Sequence, residues 1–343
     1  ESWSVMATSK ISIKEIAELA DVSVATVSRI LNDNGGYSEA TRQRVMAVVQ
    51  ERGYHVNSMA KGLRMNRTNT IGVIIPDLAN SFFADLVEKL EKRFFAAGYA
   101  TIICDTARDE AKEASYLKRL DARMVDGLII ISGASEFDTN ALTRQLPIVC
   151  IDRKPKSSGV AYVGSDHEYG AKLATATLAD VGTTPVLIGG GHESPSTTAR
   201  IKGYQTEMAA RNLQDQELIL RLTTDQDHDP DVQRAALRNL LRQLMSTSKL
   251  PLGVFAVSDK IAANLLVVAR ELYLNVPNEL KIIGFDDAPI ARYTVPELTT
   301  IHQDTSAIAE RTANYLLEAI TDRDHVELDD TPIPIQLIQR GTL

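Results

Sequence analysis

The chain has 343 residues, a net charge of −8, 44% hydrophobic residues and two cysteines. That length exceeds one ordinary core and predicts two or three domains. No apolar run nears the roughly 18 residues that cross a bilayer, nothing before Met6 has the form of a signal peptide, and Cys104 and Cys150 fit buried reduced thiols better than a disulfide or metal site. A cytoplasmic protein is expected, with residues 1–10 a disordered leader outside the fold. Charge is uneven: residues 1–67 carry 9 Lys+Arg against 7 Asp+Glu, and the remainder carries 28 against 38. A mildly basic head on an acidic body suits a small DNA-binding module joined to a larger core.

In chain order, Ser12 and Glu15 have the spacing of a capping box, in which the hydroxyl and the carboxylate each take an orphan backbone N–H. Ile13, Ile16, Ala17 and Ala20 then mark one apolar helical face. Asp21-Val22-Ser23 interrupts it, and Ser23 caps a second helix whose Val27, Ile30 and Leu31 turn inward. Val24, Ala25, Thr26, Ser28 and Arg29 remain on the open side. An Arg there can pair bidentately with guanine, and small neighbours let the backbone approach the floor of a major groove. An ordinary helical hairpin has the same spacing, but a third helix follows at once, capped by Ser38 with Val45, Val48 and Val49 on its apolar side. Asn57 opens a short segment, SMAKGLR, before the polar joint MNRTN. A helix-turn-helix head over 11–56 and a hinge over 57–68 are expected.

After residue 68 short apolar runs alternate with amphipathic stretches: TIGVII, TIICD, GLIII, PIVCI, PVLIG, LGVFAVS and KIIGFDD. This is the βαβ pattern of open parallel sheets covered by helices, repeated over two doubly wound subdomains at about 69–164 and 165–294. Ligands of such sheets bind beyond the carboxyl ends of the strands. Phe82 and Phe83, Asp105, Ser132, Asp152 with Arg153, Arg200, Ser258 and Asp286 fall there. Carboxylates, a guanidinium and hydroxyls around aromatic faces are what a polyol requires, although Phe83 fits a core position equally well. Gly189-Gly190-Gly191 matches neither a dinucleotide fingerprint nor a P-loop and reads as a flexible turn. His192 has no partner at metal-ligand spacing. No nucleophile elbow is present, so neither catalysis nor a cofactor is expected.

These motifs together resemble the lactose repressor–galactose repressor family of bacterial transcription regulators. The resemblance rests on VSVATVSRILN, SEATRQRV, GYHVNSMAKGLR, TIGVIIPDLANSFFADL, VDGLIII, IIGFDDAPIARY and PELTTIHQD, and runs from about Ile11 to the C-terminus. It implies a periplasmic-binding-protein-like core in which PELTTIHQD and the following helix cross back to the first subdomain. The first subdomain would then hold 69–164 and 295–323, and the second 165–294 and 324–343. It also implies an effector between them, touching Phe82, Phe83, Asp152, Arg200, Ser258, Asp286 and Gln303. Ser258 stands where many relatives carry Asn, so the effector cannot be copied from any one relative. Arg153 adds a positive charge that favours a phosphorylated sugar or carboxylate, or else pairs with Asp152; pairing is the preferred expectation.

On this reading the chain is a homodimeric repressor of a sugar-utilisation operon, bound to a pseudo-palindromic DNA operator and switched by a carbohydrate effector. Val24, Ala25, Thr26, Ser28 and Arg29 would face the bases, and Ser12, Asn32, Tyr37 and Ser38 the phosphates. The hinge, through Asn57, Ala60 and Leu63, would enter the minor groove with Leu63 as a wedge. A co-repressor ligand (a sugar phosphate or purine) or a co-repressor protein is the alternative. A sugar-binding protein without DNA function would lack the head.

Overall fold

The computed structural model describes residues 11–54, 67–133, 142–153, 160–248, 250–322 and 329–343. The hinge residues Asn57, Ala60 and Leu63 and the leader lie outside the described residues. The chain divides into two compact units, 1–68 and 69–343.

In the head, α1 (Ile13–Leu19), α2 (Val24–Leu31) and α3 (Glu39–Glu51) each begin at a serine N-cap. At α1 the capping box is complete: the Ser12 N–H donates to Glu15 Oε2 at 2.6 Å and the Glu15 N–H to Ser12 Oγ at 3.3 Å. Asp21 takes a left-handed backbone, φ 48°, at the turn into α2. Ile16, Ala17, Ala20, Val27, Ile30 and Val45 are buried together and hold the three helices. So small a core is sensitive to its caps. Ser23→Ala removes the acceptor of the Thr26 N–H, 3.1 Å away, and is expected to cost the head about 1 kcal/mol, measurable as a lower melting midpoint of the isolated helical transition.

The larger unit contains two sheets. The first has the order β2-β1-β3-β4-β5, from β1 (Thr70–Ile75), β2 (Ala100–Asp105), β3 (Gly127–Ile131), β4 (Ile148–Ile151) and β5 (Ala161–Val163), all parallel. Side chains alternate between its faces. Ile71, Val73 and Ile75 join the cluster under α4 (Ser81–Ala96) and α11 (Thr305–Thr321), while Ile74 packs with Leu117 and Leu120 of α5 (Glu110–Ala122). Burial on both faces explains the unbroken apolar runs.

The second sheet has the order β11-β10-β9-β8-β6-β7, from β6 (Pro185–Gly189), β7 (Ile219–Arg221), β8 (Leu252–Ala256), β9 (Leu280–Asp286), β10 (Thr299–Gln303) and β11 (Ile335–Ile338). Its helices are α6 (His167–Asp180), α7 (Pro195–Ala210), α8 (Thr224–His228), α9 (Pro230–Thr247) and α10 (Asp259–Glu271). β11 runs antiparallel to β10; the other pairings are parallel.

The expectation for PELTTIHQD needs correction. Thr299–Gln303 does not cross to the first subdomain; it forms β10 inside the second sheet, between β9 and β11. The reason is polar satisfaction. The fully buried Thr300 donates to Asp259 Oδ1 at 2.6 Å, and the Thr299 N–H donates to Thr342 Oγ1 at 2.8 Å, so both are satisfied by groups packed beside the second sheet. The crossing follows Gln303: Thr305 at the start of α11 donates to Asp85 of α4 at 2.6 Å, and Glu310 pairs with Arg93 at 2.9 Å.

Candidate functional site

A cavity of about 300 Å³ lies in the larger unit where the carboxyl ends of the two sheets face each other. Of the ten candidate effector residues, eight line it. Phe82, Phe83, Asp105, Ser132 and Asp152 come from the first subdomain, and Arg200, Ser258 and Asp286 from the second. Phe82 and Phe83 meet edge to face, with centroids 5.4 Å apart, and also belong to the core cluster of the first sheet, so they wall the cavity and pack the fold at once. Ser132, Asp152 and Asp286 are held at positive φ (51°, 56° and 122°) where their strands end. Non-glycine residues in that region carry strain of order 1–3 kcal/mol, a cost that clusters at binding sites.

The electrostatic centre is a buried chain of hydrogen bonds. Arg200 donates to the Val257 carbonyl, to His167 Nδ1 at 3.3 Å and to Asp286 Oδ1 at 3.3 Å, and its guanidinium lies 3.7 Å from the Phe285 ring centroid. His167 Nε2 lies 2.9 Å from Asp152 Oδ1, which also accepts the Ser165 N–H at 3.2 Å. Burial works to raise the Asp152 carboxyl, but contact with His167, the Arg200 charge and the Ser165 N–H outweigh it and hold it below the usual range. Asp286 goes the other way: burial raises it, and Arg200 and Gln303 only partly oppose the shift. Asp259 beneath it is raised too, by burial and then by the Asp286 charge, although Thr300 and the Ala288 N–H act to lower it.

Two candidates lie elsewhere. Arg153 is fully buried and does not line the cavity; it donates to Glu113 Oε1 and Oε2 at 3.1 and 3.2 Å and to the Ser132 carbonyl at 3.4 Å. The expected Arg153–Asp152 pair is therefore replaced by Arg153–Glu113, and Asp152 pairs with His167 instead. Gln303 does not line the cavity; it donates to Asp286 Oδ1 at 2.7 Å.

Several residues that sequence reasoning missed also contribute. Asp227 of α8 lines the cavity and accepts from the Gly191 N–H at 3.0 Å, with His192 Nδ1 3.3 Å away. His192 thus does meet a carboxylate, 35 residues away in sequence, although no group of three metal-ligating residues occurs among the described residues. Gly191 is a close approach rather than a merely flexible turn, since a Cβ there would sit 2.2 Å from the Thr223 carbonyl oxygen. At the cavity rim Lys260 of the second subdomain meets Asp77 of the first at 3.3 Å.

On the head, Val24, Ala25 and Arg29 are exposed along one side of α2, with Thr26 and Ser28 half-buried beside them. Arg29 Nε reaches the Ala25 carbonyl at 3.4 Å. Asn32 caps the end of α2 by donating to the Ser28 carbonyl at 2.7 Å, and Tyr37 donates to Asp33 at 2.6 Å. Ser12 and Ser38 are exposed caps.

Residues 12–57 match bacterial regulatory proteins, lacI family, and residues 176–343 match a periplasmic binding protein-like domain. The sucrose operon repressor of Pediococcus pentosaceus is 35% identical over 335 residues, 96% of this chain and 98% of that protein. The chain belongs to the lacI family. It is a DNA-binding transcriptional repressor of that non-enzymatic family, with a helix-turn-helix head and a periplasmic-binding-protein-like core. The HTH-type transcriptional repressor PurR of Vibrio campbellii is 32% identical over 91% of this chain and 93% of its own length. Among solved structures, the lac repressor dimer bound to operator and an anti-inducer has the same fold, with a TM-score of 0.82 at 23% identity over 97% of this chain and 99% of that one. A lacI-family regulator from Enterococcus faecium with bound ribose is 27% identical, with a TM-score of 0.69 over 80% and 98%. No helix among the described residues is long and apolar enough to cross a membrane.

Proposed function

We propose that this lacI-family repressor controls a carbohydrate-utilisation operon and is switched by an uncharged sugar held in the cleft. The observation that carries the reading is the convergence of eight residues, from strand ends and neighbouring helices of both subdomains, on one cavity. An aromatic wall, hydroxyls and oriented carboxylates there surround a single central guanidinium, Arg200. Five carboxylates line the cavity (Asp77, Asp105, Asp152, Asp227 and Asp286) against three cations, Arg108, Arg200 and Lys260. Arg200 is already paired with Asp286, and Lys260 with Asp77. That balance disfavours a phosphate and favours a polyol, whose hydroxyls both donate and accept. The sucrose operon repressor relative and the ribose-bound regulator support a carbohydrate.

The repressor acts in the cytoplasm as a homodimer, its two heads entering successive major grooves of a pseudo-palindromic operator. Arg29 reads a base while Val24, Ala25, Thr26 and Ser28 shape the approach. Ser12, Asn32, Tyr37 and Ser38 face the phosphates, and Asn57, Ala60 and Leu63 belong to the hinge. Effector and operator oppose each other through linkage of roughly 1–3 kcal/mol. Anisotropy of a labelled operator at fixed salt, titrated with sucrose and a panel of other sugars and sugar phosphates, tests the reading. Release by one uncharged sugar is expected. If only a phosphorylated compound acts, or none does, the effector assignment fails. For the head, Arg29→Ala is expected to cost about 1–3 kcal/mol of discrimination at one operator position. An equal loss on random DNA would show that Arg29 contacts only phosphates.

A further inference from the structure

His167 is the first residue of α6, in the second subdomain, and is 5% exposed. It does not line the cavity, yet both of its ring nitrogens bind groups that do. Nδ1 faces Arg200 Nη2 at 3.3 Å. A guanidinium has donors and no acceptor, so Nδ1 is the acceptor and carries no proton. The proton therefore sits on Nε2 and is donated to Asp152 Oδ1, 2.9 Å away at the end of β4 in the first subdomain. The imidazole plane is steadied by Phe285, with ring centroids 5.8 Å apart, and the same Phe285 ring supports the Arg200 guanidinium from 3.7 Å. One tautomer of one ring thus spans the two subdomains and meets the principal cation and a principal anion of the cleft.

We propose that His167 is a positioning residue of the effector site: its neutral Nε2–H ring fixes Arg200 and Asp152 relative to each other across the subdomain boundary without touching the effector. The proposal rests on the reading of the cleft as a sugar site. The ring has a directional consequence. Asp152 accepts the imidazole and the Ser165 N–H through the same oxygen, Oδ1, which leaves Oδ2 to accept from a sugar hydroxyl. Arg200, held by Val257, His167 and Asp286 together, is preset before the ligand arrives, so binding avoids the cost of ordering a long side chain.

The change His167→Gln keeps a donor and an acceptor on one planar group, whereas His167→Leu keeps neither. His167→Leu is therefore expected to weaken sucrose binding by tenfold or more, the scale of one hydrogen bond to a charged group. His167→Gln is expected to bind close to wild type. Both can be read by calorimetry on the full chain, with melting curves confirming that each variant is folded. Sucrose-free protein labelled with ¹⁵N in its histidine rings should show Nδ1 unprotonated and the proton on Nε2. A ring protonated on Nδ1 would overturn the proposal whatever the binding data show. So would unchanged sucrose affinity in His167→Leu, or a loss in His167→Gln as large as in His167→Leu. If no carbohydrate binds wild type while the ring holds the Nε2–H form, the sugar reading fails and the Arg200–His167–Asp152 tie stands on the spectrum.

Discussion

Arg200→Met is expected to lose the response to sugar and to destabilise the core by about 3–5 kcal/mol at neutral pH, the range for removing one member of a buried ion pair. Its side chain is 9% exposed and that of its partner Asp286 is 6% exposed, so water cannot replace the lost contact. Asp286 is already held above the ordinary carboxylate range by burial, with the Arg200 charge the largest influence opposing the shift. Removing Arg200 raises it further. The sign follows from linkage: a carboxyl raised in the folded state binds its proton more tightly there than in the unfolded chain. Stability from this group is therefore present at acid pH and falls as pH rises from the usual carboxylate range, about 4, through the raised value. The penalty of Arg200→Met should thus shrink on acidification. Asp121, Asp152 and Asp287 are lowered and lose their stabilising contribution in the acid direction, so the quantity to follow is the variant's melting temperature relative to wild type at each pH. Adding Asp286→Asn should recover much of the stability without restoring the sugar response. A pH-independent difference, or no rescue by Asp286→Asn, would place the cost outside this pair.

Much of the molecule was legible because its determinants are local. The caps at Ser12, Ser23 and Ser38 act over three residues, and the apolar face of Ile16, Ala17 and Ala20 repeats within one helix. Strand ends were legible for the same reason, since each β-to-α change in periodicity marks where a sheet offers its carboxyl edge. What could not be read was which polar group meets which. His167 finds Asp152 and Arg200 at separations of 15 and 33 residues, and Gly191 finds Asp227 at 36. No spacing rule connects such residues. The neighbours Asp152 and Arg153 invited pairing because they are adjacent and opposite in charge. Adjacency at a strand end implies the reverse: successive side chains diverge, and the left-handed φ of 56° at Asp152 accompanies a turn there. β10 is hard to read because TTIHQ holds a single apolar residue with no apolar–polar alternation, although four of its five residues are buried in the sheet.

Arg153 therefore invites a prediction of the opposite kind from Arg200. Its side chain is fully buried, Glu113 is 8% exposed, and one guanidinium nitrogen serves both carboxylate oxygens. Burial pushes the Glu113 carboxyl up, and the Arg153 charge and hydrogen bond restrain it. Arg153→Met alone should cost about 3–5 kcal/mol near neutral pH, with the loss shrinking as pH falls through the raised Glu113 value, by the same linkage sign as for Asp286. The double variant Arg153→Met, Glu113→Leu removes both charges from the interior and should return to wild-type stability or exceed it by about 1–4 kcal/mol, because desolvating two ions offsets most of their attraction. Urea unfolding of the four proteins in the cycle measures the coupling directly. Since Arg153 does not line the cavity, the folded double variant should keep the sugar affinity of wild type, whereas no combination containing Arg200→Met should. A double variant that is stable yet blind to sugar would mean that Arg153 acts on the cleft through Ser132, whose carbonyl it also holds at 3.4 Å.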